Sequence, residues 1–218
     1  MKEKRKIIGF AGQLNNGKNV AGDYLVKYLN SELFQGKKEF NYNNLKWKGV
    51  AFGDSLKDLY CDLFKMKRSD LELYKRQDSS PPNMDLPVRK SLQSIGDILR
   101  QSKANIWIEK LFDNHKDSNL VITDARYRNE AKAVKDRGGK MVLVYRPGHE
   151  NDFEHPSESQ YKEFIEKLRD CEDGPITDAT IPFDWLLVNA GTIEDVIEKL
   201  QSKIVPYFEE YFNGTDKN

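Results

Sequence analysis

The apolar run Ile7-Ile8-Gly9-Phe10-Ala11 passes straight into Gly12-Gln13-Leu14-Asn15-Asn16-Gly17-Lys18-Asn19, and a helical pattern follows at once in Ala21, Leu25, Tyr28, Leu29 and Leu33. A buried strand, a glycine-flanked loop and an amphipathic helix, in that order, restrict the chain to an α/β architecture that begins with a strand. The spacing of glycine, four residues and then Gly-Lys also has a chemical meaning. Successive backbone N–H groups of such a loop curl around a phosphate, and the helix behind it adds the positive end of its dipole. Lys18 has the reach for β and γ phosphates. The next position usually offers a hydroxyl to Mg²⁺; Asn19 offers an amide oxygen, directly or through water. The Gly-x-Gly-x-x-Gly spacing of dinucleotide folds is absent. The plain alternative is a glycine turn of a doubly wound fold that holds no nucleotide.

The alternation continues along the chain. Strand-like runs fall at 47–52, 119–123, 141–145 and 183–188, and helical patterns at 55–64, 87–101, 106–112, 129–137, 160–169 and 192–212, the last with Pro206 bending it. Between them, 65–86 reads as an irregular, mobile flap around Ser79-Ser80-Pro81-Pro82-Asn83, and 147–156 as a polar loop. Strands and helices in this rhythm predict a mostly parallel central sheet with helices on both faces. The expected organisation is a single domain over 1–218.

Composition narrows the partners. Lys and Arg number 35 and Asp and Glu 35, so zero net charge argues against a surface that coats nucleic acid or anionic lipid. Any anion site must gather its cations locally. No apolar run is long enough to cross a bilayer, and the basic start is followed by too few apolar residues for a signal peptide. Cys61 and Cys171 are too few for a disulfide scaffold or zinc site. The expected location is the cytoplasm, with no nucleic-acid or membrane partner.

Further candidates gather at strand ends. Asp124 follows the apolar run 121–123, where a parallel sheet binds ligands and a phosphate-loop protein places a second metal contact; its alternative role is to cap the next helix. Arg126 and Arg128 bracket Tyr127, and both could face phosphates. Arg146 ends the next strand, and Arg89 opens a helix with Gln93 one turn on; for these two, a solvated surface position is the competing reading. Asp54 either meets an acceptor, as binder or base, or caps the following helix. His155 in His155-Pro156-Ser157-Glu158 reads equally as part of an ordinary loop.

Taken together, the segments GFAGQLNNGKN, AFGDSLKDLY, VRKSLQSIGDILRQ, IWIEKLF, VITDARYRNEAKAVKDRGGKMVLVYRPG, EHPSE and DWLLVNAGTIEDV resemble the deoxynucleoside monophosphate kinases of large bacteriophages, a P-loop kinase family. The resemblance runs from 7 to about 200 and is most specific over 124–148. It implies a three-layer P-loop kinase fold with an acceptor-binding flap near 65–105 and a lid near 147–175. It implies transfer of the ATP γ-phosphoryl group, with Mg²⁺, to a deoxynucleoside monophosphate, in the host cytoplasm if a phage encodes the chain. It allows a homodimer. Gly12, Asn15, Asn16, Gly17, Lys18, Asn19 and Val20 then bind ATP, and Asn19 and Asp124 the metal. Lys18, Asp54, Arg126 and Arg146 carry catalysis, and Asp54, Lys57, Arg89, Gln93, Arg126, Glu130, His155 and Glu158 the acceptor. One departure is clear: Gly-Lys-Asp-Thr, frequent in the family, is Gly-Lys-Asn-Val here. Two other readings stand beside this one. They are a related small-molecule kinase of the dephospho-coenzyme A or phosphomevalonate type, and a nucleotide-binding module without transferase activity.

Overall fold

The apolar runs pair side by side into one sheet. In the computed structural model, which describes residues 5–31, 45–149 and 155–213 (the side chains of Glu158 and Asn213 excepted), the strands are β1 Ile7–Ala11, β2 Trp47–Val50, β3 Asn119–Ala125, β4 Lys140–Tyr145, β5 Gly174–Pro175 and β6 Trp185–Val188. Their order is β2-β3-β1-β4-β6-β5, parallel throughout except for the short β5 against β6. The chain fills one side of β1 first and then the other. That reversal opens a crevice at the C-terminal end of β1. Two compact units emerge, one made of Met1–Ala51 with His115–Asn218 and one of Phe52–Asn114.

In the first unit the inner strands β3, β1, β4 and β6 centre on apolar runs because both faces are covered, whereas the edge strand β2 exposes Lys48 and Gly49. On one face Ile8, Phe10, Val121, Val142, Val144 and Leu187 pack with Ala21, Leu25 and Leu29 of α1 (Lys18–Leu29) and with Leu200, Ile204, Phe208 and Phe212 near the C-terminus. Each fully buried Leu, Ile or Phe there contributes about 1.5–3 kcal/mol. Leu33, the last apolar position of the expected α1 pattern, lies outside the described residues.

The second unit is helical: α2 Asp54–Phe64, α3 Arg68–Gln77, α4 Val88–Ser102 and α5 Ile106–Asn114. Helix α3 corrects the reading of 65–86 as irregular. Only Leu71 of this helix is fully buried, so the sequence shows no apolar stripe, and charge pairs support it instead. The turn around Pro81-Pro82-Asn83 does lie between helices, with Asn83 at φ 63°.

Back in the first unit come α6 Arg128–Lys135, α7 Pro156–Ser159, α8 Lys162–Leu168 and α9 Ile193–Lys199. The helix expected over 160–169 is thus α8, and the short α7 precedes it where the sequence suggested only a turn into that helix. They part at Tyr161 (φ −110°, ψ 9°), whose ring turns inward against Phe183. The closing helix is also interrupted. After α9 the backbone widens into a π-turn at Leu200–Ile204, where Val205 N–H donates to Leu200 O, before α10 Val205–Tyr207 and α11 Glu209–Asn213. Pro206 has no N–H for the regular ladder, and the wider turn absorbs that loss. Lys6 ties the far end down: its Nζ donates to Tyr211 O at 2.7 Å and to Phe212 O, and Tyr211 Oη accepts the Ile7 N–H at 2.6 Å.

Candidate functional site

The glycine loop owes its shape to two residues. Gly12 has φ 141°, and a Cβ there would stand 2.3 Å from Val144 O, so only glycine lets the chain leave β1 this close to β4. Gly17 has φ 95°, and a Cβ would stand 2.6 Å from Asn189 Nδ2. Side-chain amides then pin the loop to β4 and to the residue that follows β6. Asn16 Nδ2 donates to Val144 O at 3.1 Å, and Asn189 Nδ2 donates to Asn16 O at 2.9 Å. The Asn189 N–H is itself held by Tyr145 O at 2.7 Å. Lys18 is buried, and its ammonium donates to Gln13 O within the loop.

Above the loop lies a cavity of about 660 Å³. Lys18, Asn19, Arg126 and Arg146 line it, together with Asn15, Gly17 and Val20 of the sequence-derived set. Arg126 follows the end of β3 and Arg146 the end of β4, so two strand ends and the start of α1 each deliver a cation to one space. Arg146 Nη1 also lies 3.4 Å from Asn15 O. Asn189, Gly191, Thr192, Ile193 and Val196 also line the cavity and were not singled out in the sequence. They carry no charge to draw notice. The available signal was the end of β6 followed by Thr192 and Asp195, which reciprocally cap α9 (Thr192 N–H to Asp195 Oδ2 at 2.6 Å). His149 completes the rim.

The lining combines the cations Lys18, Arg126 and Arg146 with apolar Val20, Ile193 and Val196. That suits a ligand with a polyanionic tail and a flat apolar body. Two buried polar atoms in the loop, Gln13 Nε2 and Asn16 Oδ1, have no hydrogen-bond partner, which is costly unless a ligand or water meets them. Lys18, Arg126 and Arg146, all lining the cavity, are the donors that fit a phosphate-bearing nucleotide. For a divalent cation the chain offers Asn19 and the half-buried Asp124, and no cluster of three His, Cys, Asp or Glu occurs among the described residues. Few protein ligands with the rest from phosphates and water is the habit of Mg²⁺.

The other candidates distribute as follows. Asp124 is the penultimate residue of β3 and is not part of the cavity wall. Arg128 turns away from the cavity: it reaches Gln160 O at 3.1 Å and Glu163 at 3.0 Å and lies over the Phe164 ring. Glu130 is 2% exposed, and its Oε2 accepts the N–H groups of Arg126 (2.8 Å) and Tyr127 (3.1 Å), so it stands inside the turn rather than on the wall. His155 caps α7, with Nδ1 accepting the Ser157 N–H at 3.2 Å; the Glu158 side chain lies outside the description.

Within the helical unit, Asp54 and Lys57 join a charge network with two residues the sequence reading passed over, Arg68 and Glu72. Arg68 Nη2 meets Asp54 Oδ1 at 2.7 Å and Lys57 Nζ meets Glu72 Oε1 at 2.8 Å. Asp54 opens α2 without acting as its N-cap, which is Gly53. Arg89 contacts Lys75 O at 3.2 Å and Asp78 at 3.5 Å, with Gln93 half-buried one turn on.

No family model matches the chain. A protein of Acanthamoeba polyphaga mimivirus described as "Putative deoxynucleotide monophosphate kinase" is 28% identical over 216 residues, spanning 90% of this chain and 94% of that protein. The uncharacterised protein ORF76 of Ictalurid herpesvirus 1 (strain Auburn) is 24% identical over 205 residues, 88% of this chain and 68% of its own. Among solved structures, the dephospho-CoA kinase of Campylobacter jejuni aligns over 97% of this chain and 100% of its own, with 13% identity and a TM-score of 0.45. No helix among the described residues is long and apolar enough to cross a membrane.

Proposed function

We propose that this chain is a kinase that moves the γ-phosphoryl group of ATP to a deoxynucleoside monophosphate, giving the diphosphate and ADP in the cytoplasm. The observation that carries the reading is the convergence of Lys18, which opens α1 behind the glycine loop, with Arg126 and Arg146, which follow β3 and β4, on one cavity. The likeness to the mimivirus protein over most of both chains supports it.

In this reading the γ-phosphorus leaves the bridging oxygen of ADP and bonds to a phosphate oxygen of the acceptor. Such transfer depends on positioning and charge neutralisation more than on covalent help from the protein. The loop N–H groups and Lys18 hold the donor phosphates, while Arg126 and Arg146 balance the charge that spreads over the moving group. Asn189, Ile193 and Val196 seat the base and ribose end. Asn19 and Asp124 would hold Mg²⁺, which supplies charge compensation between phosphate oxygens. The acceptor role falls to Asp54, Lys57, Arg89 and Gln93.

An ADP-release assay with dTMP, dGMP, dCMP, dAMP and non-nucleotide acceptors tests this. Turnover with at least one deoxynucleoside monophosphate is expected. Turnover confined to dephospho-coenzyme A or phosphomevalonate would reassign the chain to another small-molecule kinase. ATP binding with no turnover on any acceptor would leave a nucleotide-binding module.

A further inference from the structure

The turn Arg126-Tyr127 is held from both sides by groups with no place on the cavity wall. From below, Glu130 Oε2 accepts the N–H groups of both residues, at 2.8 and 3.1 Å. From above, Tyr161 Oη donates to the Tyr127 carbonyl at 2.7 Å. Tyr161 is 3% exposed, and its ring stands edge-on to Phe183 at 5.1 Å between centroids. Burial first, and the Glu130 carboxylate second, push its phenol well above the usual tyrosine range, so it remains a donor. Tyr161 is also the residue between α7 and α8, at the N-cap of α8. Next to it, Arg128 is fastened to Gln160 and Glu163, which leaves Arg126 as the arginine of this turn that lines the cavity.

We propose that Tyr161 is a positioning residue for Arg126: its hydroxyl fixes the peptide plane after Tyr127, and with Glu130 it clamps the turn so that the Arg126 guanidinium is held toward the phosphate cavity. The activity arm of this proposal rests on the kinase reading, and the binding arm does not. Tyr161→Phe keeps the ring against Phe183 and removes only the hydroxyl.

The experiment is a double-mutant cycle of Tyr161→Phe and Arg126→Ala, read by calorimetric titration with inorganic tripolyphosphate and by ADP release. Tyr161→Phe should weaken tripolyphosphate binding roughly three- to tenfold, the worth of one hydrogen bond, and lower kcat more than it raises the KM for the acceptor. In the Arg126→Ala background the same change should have no further effect, because its route is through Arg126. Additive losses in the double variant overturn the proposal, as does wild-type behaviour of Tyr161→Phe in both assays. A Tyr161→Phe protein that does not fold also overturns it, since the hydroxyl would then support the unit rather than aim one side chain. If wild type releases no ADP with any acceptor but the tripolyphosphate cycle still couples, the clamp stands and the kinase reading falls. If wild type does not bind tripolyphosphate, both fall.

Discussion

Asp124 stands half-buried one residue before the end of β3, and Arg126 two residues on lines the cavity, so a single strand end carries both charge signs. Asp124→Asn keeps the size of the side chain, replaces one acceptor oxygen by an NH2 donor and removes the charge. If Asp124 holds Mg²⁺ through a water, the variant should need about 10–100-fold more Mg²⁺ for half-maximal rate, with a reduced maximum. A Mg²⁺ titration of ADP release checks this, and an unchanged titration would return Asp124 to a purely structural place. Residues of this kind were legible in the sequence because charge at a strand end is conspicuous. Asn189 was not. It is a neutral residue whose importance comes from a neighbour 173 positions away, the Asn16 carbonyl, and no local pattern records such a contact. Glu130 was noticed for its charge, but its work is on backbone N–H groups within its own turn.

At the scale of elements, the inner strands were the easiest to read, because double-sided burial writes them as apolar runs; the two-residue edge strand β5, Gly174–Pro175, carries no such run and was not expected. Helix α3 was the hardest, since its support is electrostatic. Glu72 sits among Lys57, Lys75 and Arg68. Burial pushes its carboxyl up, but the Lys57 hydrogen bond and the three cations pull harder and hold it below the ordinary value of 4.5. The unfolded chain therefore takes up the proton first. The stabilisation is full above 4.5 and is lost as pH falls through the lower, folded value. Glu72→Gln should be the less stable protein at neutral pH, and the urea midpoints of variant and wild type, followed by helical circular dichroism, should converge in acid. Parallel curves at all pH values would mean that Glu72 is solvated rather than paired. The part-exposed setting keeps the expected difference small.

For the whole molecule, zero net charge resolves into local concentrations: cations at the cavity and a mixed network in the helical unit. Ligand binding to the folded state alone should raise stability by about 2.7 kcal/mol at a hundred times the Kd. MgATP should then raise the Tm of wild type by about 5–10 °C, and Lys18→Ala should abolish most of that rise while its ligand-free Tm stays near wild type. An equal rise in both proteins would place ATP away from the glycine loop.

The contact between Lys6 and the carbonyls of Tyr211 and Phe212 has a consequence for how the chain is made. The ribosome delivers the strand that leads into the glycine loop 205 residues before the helix that fastens its start. At ordinary translation speeds of about 5–20 residues per second, Ile8 and Phe10, which α1 reaches early, wait about 10–40 s for Phe208 and Phe212. The last part of this core's cover thus arrives long after the glycine loop itself has been made.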